Sequence, residues 1–274
     1  MNPETTCILV AGATGGVGQL VVARLLSSNY PVRVLVRDGA KARECFGDRI
    51  EIALGDIRQP ETLTSAVDGI STIIAATGTT AFPSSRWQFQ SAPEHQGVFG
   101  AFEWLKLLSD GDYRDRMAQN SPQIVDADGI RNLVNAAPKT LTRFVFVSSC
   151  GILRKDQFPF NLLNSFGVLD AKAQGEKAIR ESSLPHTIIR PARLIDGPYT
   201  SYDLNTLLKS KTDGQLDITL GTGDTLNGQT SRIDVAAACV ECLTCPQTIN
   251  QTFEIVNQGQ RPAEVNWPQL FETL

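Results

Sequence analysis

The sequence predicts an α/β protein built on a doubly wound parallel sheet, and three observations carry that expectation. Short apolar runs without helical period recur at 8–11, 32–36, 50–54, 71–76, 143–147 and 186–189, most of them closed by turn residues. Between them lie stretches in which apolar residues repeat at helical intervals, as Val17, Leu20, Val21 and Leu25 do. The first run leads into glycines at three-residue spacing, Gly12, Gly15 and Gly18, with Gly16 between them. Buried strands alternating with helices through short connections make a parallel sheet covered on both faces.

The stretch from Cys7 to Arg37 organises the rest. Strand, glycine turn, helix and second strand within about thirty residues form a βαβ unit suited to a dinucleotide. Glycine lets the chain leave the strand sharply, lets backbone N–H groups close on a pyrophosphate at the positive helix end, and lets helix and strand pack closely. The spacing is GxxGxxG, because position 13 is alanine.

The end of the second strand selects the nucleotide. A carboxylate there holds the ribose 2′-OH of NAD, whereas a cation suits the 2′-phosphate of NADP. The strand ends in Arg37, followed by Asp38, with Lys41 and Arg43 close behind. Arginine's planar fork matches a phosphate, so NADP(H) is favoured, with Asp38 keeping NAD as the alternative.

The third strand ends in Gly55 and Asp56, a carboxylate placed either to accept from an adenine amino group or to cap a helix. A short helical piece is expected at 62–67. The fourth strand closes on Ala75, Ala76, Thr77 and Gly78, small residues where backbone must approach a cofactor. From 79 to 122 the rhythm breaks into a segment carrying Phe82, Trp87, Phe89, Phe99, Phe102 and Trp104. That is too aromatic for a disordered linker and reads as an insertion, either a lid over the site or a peripheral docking surface. A helix at 126–136 and the fifth strand follow, ending in Ser148, Ser149, Cys150 and Gly151. A long helix is expected around 169–182, then the sixth strand and Arg190-Pro191-Ala192-Arg193. Further strands are expected near 216–220 and at 252–256, with an alanine-rich helix at 234–243 capped by Asp234.

Composition narrows the function classes. With 274 residues and 42% hydrophobic content the chain suffices for one large domain with a sizeable core. A net charge of −4 and the lack of a long basic run argue against a nucleic-acid partner. No apolar stretch has the length of a membrane span, which leaves peripheral association open, and MNPETT resembles neither a signal nor a transit peptide. Six cysteines form no disulfide framework at this size. Cys239, Cys242 and Cys245 imitate part of an iron–sulfur run, but the fourth cysteine is missing, so no metal is assigned. They read as helix cysteines in a reducing compartment, the cytoplasm or the plastid stroma.

Read in order, GATGGVG, VLVRD, GDIRQPETL, FVFVSSCGI and TIIRPARLIDGPYTSYD resemble the atypical short-chain dehydrogenase/reductase family, closest to the NmrA-like Rossmann proteins of cyanobacteria and plastids. The resemblance runs nearly the whole length, from Ile8 to Val256. It implies a single Rossmann-like domain over 1–274, with 191–274 contributing the substrate side. It also implies cofactor contacts at Gly12, Thr14, Gly15, Gly16, Val17, Gly18, Arg37, Asp56, Ile57, Ala76, Thr77, Ser148, Lys172 and Pro191.

One departure matters more. Enzymes of the family carry YxxxK, in which the tyrosine passes a proton and the lysine grips the ribose. Lys172 matches the lysine, but the residue four positions earlier is Val168, which transfers no proton. Other candidates are Ser149, where the family serine polarises substrate, the adjacent Cys150, and Tyr199 and Tyr202 beyond Pro191. His95 lies in the insertion, and His186 opens the sixth strand in a structural role. Two function readings follow. One is a reductase of a small organic substrate, with Lys172 on the ribose, Ser149 orienting substrate and Tyr199 or Tyr202 as the acid. The other is a non-catalytic, dinucleotide-dependent sensor or assembly factor that docks a protein partner. An epimerase or dehydratase is a weaker third, since it too needs the missing tyrosine.

Overall fold

The computed structural model describes residues 7–81, 87–89, 106, 110–195 and 216–274. Strand β1 (Cys7–Ala11) shows how the sequence builds the fold. Side chains alternate across a strand. Ile8 and Val10 therefore enter one core with Val21, Val22 and Leu25, while Leu9 and Ala11 enter the other with Ile130, Leu133 and Phe144. A strand apolar at every position is thus buried on both faces, as the parallel class requires. Burying a side chain such as Leu25 or Leu133 stabilises the fold by about 1.5–3 kcal/mol.

Helix α1 (Gly16–Ser27) leads to β2 (Val32–Val36), α2 (Gly39–Phe46), β3 (Glu51–Leu54) and β4 (Ile70–Ala75). Helix α3 (Gly111–Met117) precedes a π-helical stretch, Gln123–Gly129, which runs directly into α4 (Ile130–Ala136). Then come β5 (Arg143–Val147), the short α5 (Phe160–Leu163), α6 (Val168–Glu181), β6 (His186–Pro191) and β7 (Arg193–Leu194). The C-terminal part supplies β8 (Leu216–Gly221), β9 (Gln229–Thr230), α7 (Arg232–Glu241), β10 (Gln251–Gln260) and α8 (Trp267–Phe271).

The strand order is β3-β2-β1-β4-β5-β6-β10-β9-β7, with β8 paired to β10. Strands β1 to β6 are parallel, β10 joins β6 in parallel, and β8 runs antiparallel to β10. The chain winds outward from β1 to β3 and then crosses to β4 on the other side, so the order reverses between β1 and β4. Ligands of such sheets bind in the crevice at that reversal, outside the carboxyl ends of the strands.

Several expected elements differ. The helix expected at 62–67 is a 3₁₀ turn, Pro60–Thr62, followed by further turns. Helix α2, for which the sequence reading assigned no element, forms because Asp38 caps it by accepting from the Ala40 and Lys41 amides at 2.9 and 3.2 Å. The cap of α7 is Ser231 rather than Asp234. Asp234 lies inside the first turn and binds Arg261 through 2.8 and 2.9 Å contacts. Cys239 and Cys242 are fully enclosed around the end of α7; burial raises both thiols, that of Cys242 to about 12. Most of 79–122 lies outside the described residues, together with His95.

Candidate functional site

The carboxyl ends of β1, β4, β5 and β6 converge on one edge, and the glycine loop forms its floor. Gly12 has φ +80°, and a Cβ there would lie 2.7 Å from the Ala76 carbonyl oxygen, so only glycine lets β1 turn against the end of β4. A Cβ at Gly18 would come within 2.1 Å of the Gly12 oxygen, so α1 sits directly on the loop. Gly16 and Val17 are buried in the first turn, and the Thr14 carbonyl accepts from the buried Gln19 amide at 3.0 Å. No side chain caps α1, and its first turn holds no acidic residue. A twelve-residue helix thus directs uncapped amides and its positive end out of the loop.

At the end of β2, Arg37 and Asp38 divide the two roles that the sequence left open. Asp38 is committed to capping α2, whereas exposed Arg37 makes no ion pair among the described residues. Asp56, after β3, does not stand free for an adenine. Arg58 grips both its oxygens at 2.5–2.9 Å and also donates to the Gln119 carbonyl at 2.7 Å. Burial raises the Asp56 carboxyl, but the Arg58 hydrogen bonds and charge overcome it and hold the group below its usual range. Ile57 turns its side chain into the core against Gly129, and its carbonyl accepts from Asn132. Beyond β4, the Thr77 hydroxyl is buried without a partner among the described residues, a polar atom left for a ligand.

Lys172 lies on α6 with its Nζ 2.9 Å from Asp126 Oδ1 and 3.4 Å from the Val147 carbonyl oxygen. A Cβ on exposed Gly78 would meet that Nζ at 3.5 Å, so the lysine borders the end of β4. One turn later, Glu176 is fully buried and accepts from Ser148 Oγ at 2.6 Å and from Arg190 at 2.6 and 2.9 Å. The Ser148 hydroxyl is therefore spent inward. Ser149 Oγ donates to the Cys150 carbonyl at 3.0 Å, and the Pro191 carbonyl accepts from the Cys150 amide at 2.9 Å.

Val168 opens α6 and is buried in a small apolar cluster with Ile152 and Leu169. No proton donor stands in its place. Cys150 is no substitute, since burial, with Glu254 and Asp224 nearby, pushes its thiol up to about 12. Cys150, Asp224 and Glu254 do gather their ligand atoms within 4.8 Å. However, Asp224 already accepts from the Gly151 and Leu153 amides, and Glu254 from that of Leu226. Tyr199 and Tyr202 lie outside the described residues.

A glycine cradle, an uncapped helix end and an orphaned hydroxyl at the sheet's reversal point fit a dinucleotide. Residues 12–246 match the NAD(P)H-binding family. The chain belongs to that family. Sanguinarine reductase of Eschscholzia californica is 29% identical over 263 residues, covering 94% of this chain and 90% of that one. Photosystem II assembly factor Ycf39 of Trieres chinensis is 27% identical over 252 residues, covering 92% of this chain and 64% of that one. A putative NAD-dependent epimerase/dehydratase from Bacillus halodurans superposes with a TM-score of 0.67 at 23% identity. That likeness covers 98% of this chain and all of the other, and it shows the shared Rossmann-like fold.

Within this NAD(P)H-binding chain, the structure gathers Gly12, Gly18, Ala76 and Thr77 around the glycine loop, and Lys172, Ser148 and Pro191 around the ends of β5 and β6. Sequence reasoning missed Asp126 and Glu176. In the sequence Asp126 reads only as the start of a helix, because nothing local announces that it faces a lysine 46 positions away. The i, i+4 spacing of Lys172 and Glu176 is a signal that could have marked one inward face of α6.

Proposed function

We propose that this chain binds NADP(H) in preference to NAD(H) and uses it to reduce a small organic substrate. The observation that carries the nucleotide preference is the division of labour at the end of β2: Asp38 is occupied as a helix cap, and Arg37 stands exposed without an ion partner among the described residues. The α1 amides and the backbone of Gly15 and Gly16 would take the pyrophosphate, Arg37 the 2′-phosphate, and Lys172 the ribose of the nicotinamide half. Bound NADPH supplies a hydride. The chain's own part is to orient the nucleotide, through Ala76, Thr77 and the Pro191 turn, and to deliver a proton to the reduced atom. With valine at 168, that proton comes from Tyr199 or Tyr202, and Ser149 orients the substrate. Its relative sanguinarine reductase supports the reductase class.

Val168 itself favours a second reading, a dinucleotide-responsive factor that docks another protein through 79–122. The assembly-factor relative supports it, and with it a plastid stroma location where the chain serves photosystem assembly; a cytoplasmic location suits the reductase reading equally. No helix among the described residues is long and apolar enough to cross a membrane. Steady NADPH oxidation across a substrate panel supports reduction. A pull-down that differs between NADP⁺ and NADPH, with no oxidation, supports docking.

A further inference from the structure

We propose that Asp126 is the positioning residue of the nucleotide site, holding Lys172 in place through a relay that begins at Thr79; this rests on the reading that Lys172 meets the nicotinamide half. Asp126 is fully buried. Its Oδ1 meets Lys172 Nζ at 2.9 Å, and its Oδ2 accepts from the Thr79 hydroxyl at 2.6 Å and the Thr79 amide at 3.1 Å. One carboxylate therefore ties the segment leaving β4 to the helix that carries the lysine.

The backbone is shaped around this contact. Asp126 sits in the π-helical turn Gln123–Gly129, an irregularity that redirects a side chain and recurs at functional sites. On the facing helix, a Cβ at Gly175 would lie 2.5 Å from the Asp126 carbonyl oxygen. Only glycine there lets α6 come close enough for Lys172 to reach the carboxylate. An ammonium has three donors. Asp126 and the Val147 carbonyl take two, with the ammonium 5.3 Å from the Phe146 ring centre, which leaves one N–H for a ligand. The pair also cancels the lysine charge, so the lysine acts at the ribose as a directed hydrogen-bond donor rather than a free cation.

The test separates the two halves of the nucleotide. Titration calorimetry would measure NADPH and 2′,5′-ADP, which lacks the nicotinamide half, on the full chain. Asp126→Asn is expected to raise the Kd for NADPH on the order of tenfold, as for a lost charge-assisted contact, and to leave that for 2′,5′-ADP within about twofold. The Asp126→Asn/Lys172→Met double variant should bind NADPH no more weakly than Lys172→Met alone, because Asp126 acts through the lysine. Should Asp126→Asn fail to fold, Thr79→Val carries the test, with a rise of about threefold for NADPH alone. Equal losses for both ligands, no loss for either, or a double variant weaker than Lys172→Met would overturn the proposal. Unaltered NADPH binding by Lys172→Met would instead sink the underlying reading of the lysine, before Asp126 is in question.

Discussion

Glu176 and Arg190 meet in a two-pronged contact at 2.6 and 2.9 Å, with the carboxylate fully buried and the guanidinium nearly so. Ser148 and Arg180 complete the carboxylate's shell at 2.6 and 2.9 Å. The contact bolts α6, which carries Lys172, to β6, which carries Pro191.

Acid should therefore loosen this region. Burial alone would raise the Glu176 carboxyl, but the hydrogen bonds from Arg190, Ser148 and Arg180 and the Arg190 charge leave it below its ordinary 4.5. A depressed carboxyl contributes stability above its unfolded value and loses it as pH falls through the folded one. Glu176→Gln leaves Arg190 buried without its counter-charge and is expected to cost on the order of 3 kcal/mol at neutral pH. Urea midpoints taken between about pH 3 and 7 should then fall less steeply in acid for the variant than for the wild type. Parallel curves would contradict this account of the pair.

Nucleotide choice turns on Arg37. Arg37→Glu should cost NADPH on the order of 1–3 kcal/mol of binding free energy and leave NADH nearly unchanged. Fluorescence or calorimetric titration decides it, and equal losses for both nucleotides would remove Arg37 from the 2′-phosphate.

Two glycines of the loop should fail in different ways. A Cβ on Gly15 meets only the Gly12 oxygen, at 3.2 Å, so Gly15→Val should fold and yet lose nucleotide binding, its side chain standing in the phosphate's place. A Cβ on Gly18 would drive into Gly12, so Gly18→Ala should lower stability by about 1–3 kcal/mol. Thermal unfolding beside NADPH titration separates the two, and normal binding by folded Gly15→Val would move the phosphate site elsewhere.

The vacancy at 168 predicts slow chemistry on ordinary carbonyls. Acid–base groups contribute on the order of 10²–10⁴-fold in rate. Where no other group takes over the acid's part, as the docking reading requires, wild type should bind NADPH and show negligible turnover on generic aldehydes, ketones and quinones. Val168→Tyr must push a ring into the cluster of Ile152 and Leu169, at about 1–3 kcal/mol, and restores a trace of activity only if the remaining site is shaped for hydride transfer. Brisk wild-type turnover abolished by Tyr199→Phe or Tyr202→Phe would establish a relocated acid and end the docking reading.

By itself the sequence determined the parts that are local. Apolar runs such as 8–11 and 143–147 set the strands, and the period of Val17, Leu20, Val21 and Leu25 set α1, because strand and helix burial leave periods a short window can hold. The three glycines fixed the dinucleotide loop for the same reason: turn, close approach and helix packing all act within seven residues. Tertiary structure alone decided which cations the buried carboxylates of α6 and of the turn before α4 face. The Asp38 cap and the Asp56–Arg58 pair span two residues each, but Asp126 meets Lys172 46 positions away and Glu176 meets Arg190 on another element, the buried anions that hold Lys172 and α6. A buried charge needs a counter-charge wherever the fold brings one, and that partner's position in the chain carries no periodic trace.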